Sequence, residues 1–308
     1  MKSIKISAPG TVANMVCGFD ILGFALNEPS DIIELTLSDE PGIRIQHLDH
    51  YNLPTDPAKN ICGVVAAAMM AEAKDIVGVD MKITKNIMPG SGIGSSAASS
   101  AGVVIGLNHL LGNRFNNLDL IRFAMEGEKL ATGVKHADNI APCIYGGVTL
   151  IRSIFPLDII ALNTPLLHAT VVHPQIEVKT SDARQILKKQ LLLKDAIKQW
   201  GNVAGLVAGL EKNDYDLIGR SLEDIIVEPV RSILIPGFDL VKKQSKEAGA
   251  LGGGISGSGP SIFMLSKTKE TADAVATEMK NIYESIGIDY HVYVTTINKE
   301  GCKVVSGE

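Results

Sequence analysis

Length, composition and charge exclude several classes of protein. The chain has 308 residues, of which 45% are hydrophobic and 20% charged, with a formal net charge of −5, so it can bury a large core and is expected to form two domains. It lacks the basic field that attracts nucleic acid or anionic membranes, and its four isolated cysteines indicate neither a zinc site nor a disulfide framework.

The first predicted element is a strand at the start of the chain. Ile4 and Ile6 alternate with polar residues, which is the period-two pattern of a half-buried strand. This stretch does not resemble a signal peptide, and no apolar run has the length of a membrane span without a charge or a glycine break. We therefore expect a cytoplasmic protein.

The next segment, residues 11–23, follows Pro9 and Gly10 and carries two isolated polar residues. Asn14 and Asp20 lie among small and apolar neighbours, and a carboxylate buried in such surroundings needs a partner. The pattern leaves two interpretations open. The two residues are either turn formers beside glycines or ligands of a bound molecule.

Two strands and a helix are predicted before the most informative stretch of the chain. Residues 31–37 and 79–84 alternate between apolar and polar side chains, as strands do. Between them, a loop over residues 52–60 leads into an alanine-rich helix over residues 61–73. Asn60 stands at the start of this helix, where asparagine commonly acts as an N-cap.

Residues 89–96, PGSGIGSS, form a glycine-rich loop between the strand 79–84 and a helix of small residues that ends at Gly112. The glycines at 90, 92 and 94 carry no Cβ that would obstruct a close approach. The helix start behind them presents free N–H groups and the positive end of its dipole. The loop therefore predicts an anion site, with phosphate as the favoured ligand.

Residue identities separate three phosphate-binding chemistries at this loop. A P-loop requires lysine after its last glycine, where this chain has Ser95. Gly92, Gly94 and Ala97 match a dinucleotide fingerprint, but the second strand it requires is replaced by a turn at residues 112–117. A tightly packed helix of small residues without any ligand stays open as an alternative.

Polar residues follow on the next helix and in the turn after it. Residues 118–130 have helical apolar spacing, and Glu128 is either a solvated residue of this helix or a ligand. His136, Asp138 and Asn139 then cluster between a glycine and a strand that begins at Gly147. The cluster is either a satisfied turn or part of a site.

The second half of the chain reads as another α/β unit. Residues 156–165 are expected to be the transition, followed by a strand over 168–172 and helices over 180–193 and 217–226. Arg184 and Arg231 are either surface cations or carboxylate ligands. A second glycine loop at 251–264, a helix over 270–286 and a strand over 290–296 complete the unit.

Three of these stretches closely resemble, in order, the motifs of the GHMP kinases, the superfamily of galactokinase, homoserine, mevalonate and phosphomevalonate kinases. Residues 9–23 resemble the first motif, and residues 89–98 match the second, Pro-x-x-x-Gly-(Leu or Ile)-Gly-Ser-Ser-Ala-Ala, at essentially every position. Residues 251–264 resemble the third, with Gly257, Ser258 and Gly259 at its tip. The segments 14–20, 133–147, 180–184 and 228–231 are most similar to the homoserine kinase branch.

The resemblance implies an α+β, two-domain GHMP kinase fold. It comprises an N-terminal α/β, ATP-binding domain over residues 1–160 and a ferredoxin-like C-terminal domain over residues 161–308, with the active site in the cleft between them. The implied activity is transfer of the γ-phosphate of ATP to the hydroxyl of L-homoserine, in threonine biosynthesis, by a homodimer. The alternatives are a kinase for another small alcohol and a ligand-binding protein that has lost catalysis.

The resemblance also assigns roles to residues. The expected ATP-binding residues are Asn60, Pro89, Gly90, Ser91, Gly92, Ile93, Gly94, Ser95, Ser96 and Ser258. The expected Mg²⁺ ligands are Ser96 and Glu128, the latter identified by counting eight residues back from His136. The expected substrate-binding residues are Asn14, Asp20, His136, Asn139, Thr180, Arg184 and Arg231.

The catalytic set implied by the resemblance is Ser96, Glu128 and Asn139. Mevalonate kinases and galactokinases carry an aspartate where this chain has Asn139, and that aspartate is commonly assigned as a general base. An amide cannot accept the proton. We therefore expect a mechanism without a protein base, with Asp20, Asp138 and His136 as the rival candidates.

Overall fold

The computed structural model describes residues 2–74, 76–178 and 180–307, and in these ranges the strands form two sheets. The strands are β1 (Ser3–Ala13), β2 (Leu22–Ser38), β3 (Gly42–His47), β4 (Gly78–Thr84), β5 (Val148–Ile154), β6 (Leu157–Leu162), β7 (His168–Pro174), β8 (Gly252–Ile255), β9 (Ile262–Ser266), β10 (Tyr290–Thr296) and β11 (Lys303–Gly307).

Helices connect and cover these sheets. They are α1 (Ile61–Ala73), α2 (Ser95–Leu110), α3 (Asn117–Thr132), α4 (Ile140–Tyr145), α5 (Thr180–Gln185), α6 (Leu193–Lys212), α7 (Tyr215–Ser221), α8 (Glu228–Arg231), α9 (Phe238–Glu247) and α10 (Lys269–Ile286), with a short 3₁₀ helix over Ser232–Leu234. Among the described residues, no helix is both long enough and apolar enough to cross a membrane.

The first sheet has seven strands in the order β11-β1-β2-β4-β3, with β5 and β6 attached to β2. Ile6, Ile33 and Ile83 face one another across β1, β2 and β4, and all three are fully buried. They are the apolar members of the predicted alternating strands. Helix α2 packs closely against this face at Gly102, where a Cβ would overlap the side chain of Ile33.

The second sheet is antiparallel, with the strand order β10-β7-β9-β8. Along the chain its strands and helices run β-α-β-β-α-β, with α10 as the second crossover, which is the ferredoxin-like arrangement. The prediction of an α+β fold with a ferredoxin-like second half is therefore confirmed. Phe24 of β2 meets Phe263 of β9 edge to face, with ring centroids 5.6 Å apart, so the two halves share part of their core.

The predicted helix over residues 180–193 is wrong beyond residue 185. Helix α5 ends at Gln185, and α6 begins only at Leu193 and continues to Lys212. Three apolar residues of this stretch, Ile186, Leu191 and Leu192, are exposed. A helix is stabilised mainly by packing an apolar face, and these residues provide no buried face.

The predicted helix over residues 217–226 is too long at its C-terminal end, because α7 ends at Ser221. The carboxylate of Asp224 accepts hydrogen bonds from the backbone N–H groups of Ile226, Val227 and Glu228. Aspartate commonly turns the chain in this way, in competition with helical bonds. The turn sets up the short helix α8, which carries Arg231.

The predicted transition between the two halves contains a strand. Residues 156–165 include β6, which pairs with β5 as far as Leu162 and so belongs to the first sheet. From the other end of the chain, β11 returns to pair with β1. The division at residues 160 and 161 stays a prediction, and β6 crosses it.

Candidate active site

A cavity of about 360 Å³ is lined by residues from both halves of the chain. The predicted site residues along its wall are Asn14, Asp20, Asn60, Pro89, Gly90, Gly92, Gly94, Ser95, Ser96, Glu128, His136, Asn139, Arg184, Arg231 and Ser258. Thr180 begins α5, and its side chain lies outside the described part of the structure. The cavity therefore joins residues that the sequence places in separate motifs.

The glycine-rich loop runs along one wall and ends at the start of α2. Gly94 is the N-cap residue, with a left-handed φ of 70°, and no side chain caps the helix. The N–H groups of the first turn and the positive end of the dipole are therefore available to an anion. A Cβ on Gly94 would overlap the Thr11 hydroxyl, so only glycine fits this turn.

Two residues of this loop support it from behind instead of lining the cavity. Ser91 and Ile93 are both about 1% exposed, and the carbonyl of Ser91 accepts a 2.6 Å hydrogen bond from the Ser261 hydroxyl. The carbonyl of Gly92 likewise accepts a 2.8 Å bond from the Ser256 hydroxyl. The loop over residues 89–96 and the second glycine loop at 251–264 are thus held together.

Ser96 and Glu128 form an oxygen pair beside the start of α2. The Ser96 hydroxyl donates a 3.0 Å hydrogen bond to Oε2 of Glu128. Glu128 is only 8% exposed, and its burial raises the pKa of its carboxyl, while the Ser96 hydroxyl and the charge of Arg184 act in the opposite direction. It is therefore not the solvated helix residue that the pattern alone allowed.

The metal-binding capacity of this pair is limited. Within residues 2–74, 76–178 and 180–307, no group of three or more His, Cys, Asp or Glu side chains could hold a metal ion. Mg²⁺ typically takes one or two carboxylates and completes its shell with water and phosphate oxygens. A hydroxyl and a carboxylate beside an uncapped helix N-terminus fit that requirement.

The other end of the cavity carries an ion-paired group. Nη2 of Arg184 lies 2.8 Å and 3.1 Å from the two carboxylate oxygens of Asp20, and Nδ1 of His136 lies 3.9 Å from Oδ1. Burial lowers the pKa of His136, and the Asp20 carboxylate opposes this shift. Asp20 thus faces two basic side chains that are far from it in sequence.

Asn14 fixes the loop that carries Asp20. Its Oδ1 accepts a 3.0 Å hydrogen bond from the backbone N–H of Asp20, and its Nδ2 donates a 2.8 Å bond to the carbonyl of Gly257. Both asparagine and aspartate adopt a left-handed backbone here, with φ values of 72° and 62°, which these residue types tolerate. Asn14 therefore connects the first and third motifs.

Arg231 is the second guanidinium at this end. It is 3% exposed and donates from Nε to the carbonyl of Ala183 at 2.9 Å and from Nη1 to the carbonyl of Gly257 at 3.2 Å. Burial and the neighbouring charge of Arg184 lower its pKa to about 10. Two guanidiniums in one corner of a cavity can bind a carboxylate through paired hydrogen bonds.

Asp138 and Asn139 lie between the two ends. Oδ1 of Asn139 accepts a 2.8 Å hydrogen bond from the Thr11 hydroxyl. Asp138 is buried beside it, and desolvation together with the charges of Asp20 and Glu128 raises its pKa to about 7. The carboxyl of Asp138 therefore titrates close to neutral pH.

Asn60 is engaged by the protein itself. Its Oδ1 accepts the N–H of Cys62, as an N-cap does. Its Nδ2 lies within hydrogen-bond distance of the carbonyl of Pro54 and of Nε2 of His47, which is 3.0 Å away. Asn60 therefore fastens the loop before α1, and its side-chain donors are already in use.

Sequence reasoning missed His47 and Lys85, which are basic residues of the wall. His47 contacts Asn60, and Lys85 forms a buried ion pair with Asp31. Nζ of Lys85 also donates to the carbonyl of Ser95 at 2.8 Å, so it anchors the start of α2. A lysine at the end of a strand, directly before the glycine loop, was the available signal.

Comparison with known proteins gives consistent matches over the whole chain. Family models described as the GHMP kinases N terminal domain and the GHMP kinases C terminal match residues 60–147 and 206–285. A homoserine kinase from Chloroherpeton thalassium is 43% identical and covers 99% of this chain and 100% of its own length. One from Methanococcus vannielii is 39% identical, with 99% of both chains covered.

Solved structures agree with these matches. The crystal structure of homoserine kinase from Cytophaga hutchinsonii is 52% identical, with a TM-score of 0.95 over 98% of this chain and 97% of that one. The crystal structure of L. major mevalonate kinase in complex with R-mevalonate has a TM-score of 0.72 over 96% of both chains. At 17% identity, this match supports a shared fold and nothing further.

Proposed function

The chain belongs to the GHMP kinase family, and we propose that it is a homoserine kinase. It transfers the γ-phosphate of ATP to the side-chain hydroxyl of L-homoserine and releases O-phospho-L-homoserine and ADP. One observation carries the proposal. A single cavity has an uncapped helix start and an Mg²⁺-compatible oxygen pair along its wall, and it also contains Asp20 with two arginines.

The nucleotide site is the glycine-rich loop with the start of α2. Backbone N–H groups and the helix dipole bind the phosphates of ATP, and the bond between Ser256 and Gly92 keeps the loop in position. The side-chain donors of Asn60 already meet His47 and Pro54. Asn60 therefore contributes to the nucleotide site by holding the loop before α1 in place. Ser258 extends the site from the third motif.

Ser96 and Glu128 are the residues that hold Mg²⁺ in this proposal. The buried Glu128 carboxyl has only the Ser96 hydroxyl as a hydrogen-bond partner among the described residues, so a divalent cation would supply the missing countercharge. When bound, the ion neutralises charge on the transferred phosphate. The cation would also compensate the buried negative charge of Glu128, which is costly without a partner.

The substrate site matches a zwitterionic amino acid. Arg184 and Arg231 provide two planar donor groups for the carboxylate, and Asp20, near His136, accepts from the ammonium. Asn14 keeps Asp20 in place through the backbone bond of 3.0 Å, and Thr180 belongs to the same set. Recognition of both charged groups would exclude a plain alcohol.

The transfer step needs no protein base. The homoserine oxygen forms a bond to the γ-phosphorus as the bond to the β–γ bridging oxygen breaks, and the hydroxyl proton passes to an oxygen of the transferred phosphate. Such loose transition states depend on positioning and charge neutralisation. Asn139 positions the hydroxyl through its amide, whose Oδ1 is already held by Thr11.

The remaining parts of the proposal are a cytoplasmic location and a homodimer. Purified protein will be assayed for ATP consumption with L-homoserine, mevalonate, galactose and shikimate, and products will be identified by ³¹P NMR. The expected result is a phosphomonoester of homoserine that requires Mg²⁺. Transfer to another of these alcohols, or binding of homoserine without turnover, would contradict the proposal.

A further inference from the structure

Phe19 lies where the two guanidiniums of the cavity meet. The ring centroid is 4.9 Å from Cζ of Arg231 and 5.5 Å from Cζ of Arg184. Both distances fall within the range of about 6 Å in which a cation is attracted to an aromatic ring. Phe19 also lines the cavity, and it directly precedes Asp20 in the chain.

The two arginines also have contacts besides Phe19. Their like charges repel each other, and this repulsion contributes to the lowered pKa of Arg231. Arg231 is held by two backbone carbonyls, those of Ala183 and Gly257. Arg184 bonds Asp20 through Nη2, while its buried Nε has no hydrogen-bond partner in the described part of the chain.

Phe19 does not have the surroundings of an ordinary core residue. It is half-buried and belongs to none of the three apolar clusters formed by the described residues. Among the described aromatic rings, it is the one with guanidiniums of two different arginines within cation–π range. Its contacts are therefore directed at the groups that face the cavity.

We propose that Phe19 is a positioning residue that holds Arg184 and Arg231 together for a substrate carboxylate. This inference rests on the proposed function, because it assumes that the two arginines bind the carboxylate of homoserine. Phe19 then sets the preference for an amino acid over an amino alcohol. It acts through the arginines, so nucleotide binding and the phosphoryl transfer itself should be affected much less.

The test compares Phe19→Leu, which removes the ring, with Phe19→Tyr, which retains it. Each protein is assayed with L-homoserine and with 3-aminopropan-1-ol, which is homoserine without its carboxylate. Losing two cation–π contacts should raise KM for homoserine by about tenfold or more in Phe19→Leu. KM for ATP should change by less than about twofold, since the ring is not part of the nucleotide site.

The preference for homoserine over 3-aminopropan-1-ol should fall by a similar factor, about tenfold, in Phe19→Leu and be restored in Phe19→Tyr. Phe19→Met replaces the leucine variant if that variant does not fold. If wild type discriminates and the ring-free variant keeps the same ratio, or if KM for ATP rises in parallel, the role of Phe19 is wrong. If wild type itself does not discriminate, the proposed carboxylate site is wrong instead.

Discussion

The hydroxyl of Thr11 donates a 2.8 Å hydrogen bond to Oδ1 of Asn139, although the two residues are 128 positions apart in the sequence. Thr11 is fully buried, and its hydroxyl also fills the space beside Gly94 at the start of α2. One side chain thus contacts both the proposed phosphate loop and the proposed hydroxyl-positioning amide. With Oδ1 engaged, Nδ2 of Asn139 is left to donate.

Removing this hydroxyl should therefore slow turnover. We expect Thr11→Val to lower kcat by about tenfold or more, because a misplaced positioning group is costly. Thr11→Ser keeps the hydroxyl and should lie within about threefold of wild type. Steady-state kinetics with homoserine and ATP measure both. A valine variant with unchanged kcat would show that Thr11 does not position Asn139.

Glu128→Gln tests the proposed metal ligand, since it keeps the shape of the side chain and removes its charge. We expect kcat to fall by about a hundredfold or more. The melting temperature should change little, because the glutamine fills the same space and its amide oxygen can still accept the hydrogen bond from Ser96. Turnover is measured over a range of Mg²⁺ concentrations.

A matched control for this variant lies on the same helix. Glu126 pairs with Lys135 and is more exposed than Glu128, so Glu126→Gln should change kcat by less than about twofold, as surface pairs contribute little. Equal losses in both variants, or wild-type turnover of Glu128→Gln at limiting Mg²⁺, would remove Glu128 from the metal site.

Asp138→Asn tests for a hidden base and predicts a pH dependence of stability. The folded-state pKa of Asp138 is about 7, raised from an ordinary value of 3.8. The native protein therefore binds more protons than the unfolded chain between about pH 4 and pH 7, and its stability falls as pH rises through this window. Asparagine carries no ionisable group, so Asp138→Asn removes the cost of ionising a buried carboxyl in the folded protein. The free energy of unfolding of the variant, relative to that of wild type, should therefore increase from about pH 4 to about pH 7. Above about pH 7 this difference should stay constant.

Denaturant unfolding from pH 4 to pH 8 measures this difference, and single-turnover transfer from ATP tests the chemistry. We expect Asp138→Asn to lose less than about a hundredfold in rate, since no base is required. A stability difference that does not vary with pH would contradict the raised pKa. A loss of ~10⁴-fold with homoserine binding intact would identify Asp138 as the base.

Gly94 and Gly90 offer a paired test of the loop geometry. Both have left-handed φ values, 70° and 78°, but a Cβ on Gly94 would overlap Thr11, whereas one on Gly90 would meet nothing within 4 Å. Gly90→Ala should lose only the cost of backbone strain, about 1 kcal/mol. Gly94→Ala should lose clearly more stability and raise KM for ATP. Equal melting temperatures for the two variants would contradict this account.

Much of the local structure could be predicted because its signals lie close together in the sequence. Helix α1 has the predicted bounds because Asn60 caps it. The alternation around Ile33 and Ile83 identified two strands, since period two assigns each side chain to a face. The glycines at 90, 92 and 94 indicated a loop with left-handed backbone, which all three adopt, because glycine reaches positive φ at no steric cost.

Only the tertiary structure decided which distant residues meet. Asp20 pairs with Arg184 across 164 positions, and nothing near either residue encodes that contact. The chain from Ile186 to Leu192 has apolar spacing typical of a helix, yet Ile186, Leu191 and Leu192 are exposed. Local pattern sets what a segment can form, whereas packing against remote segments determines whether it forms and what its polar groups face.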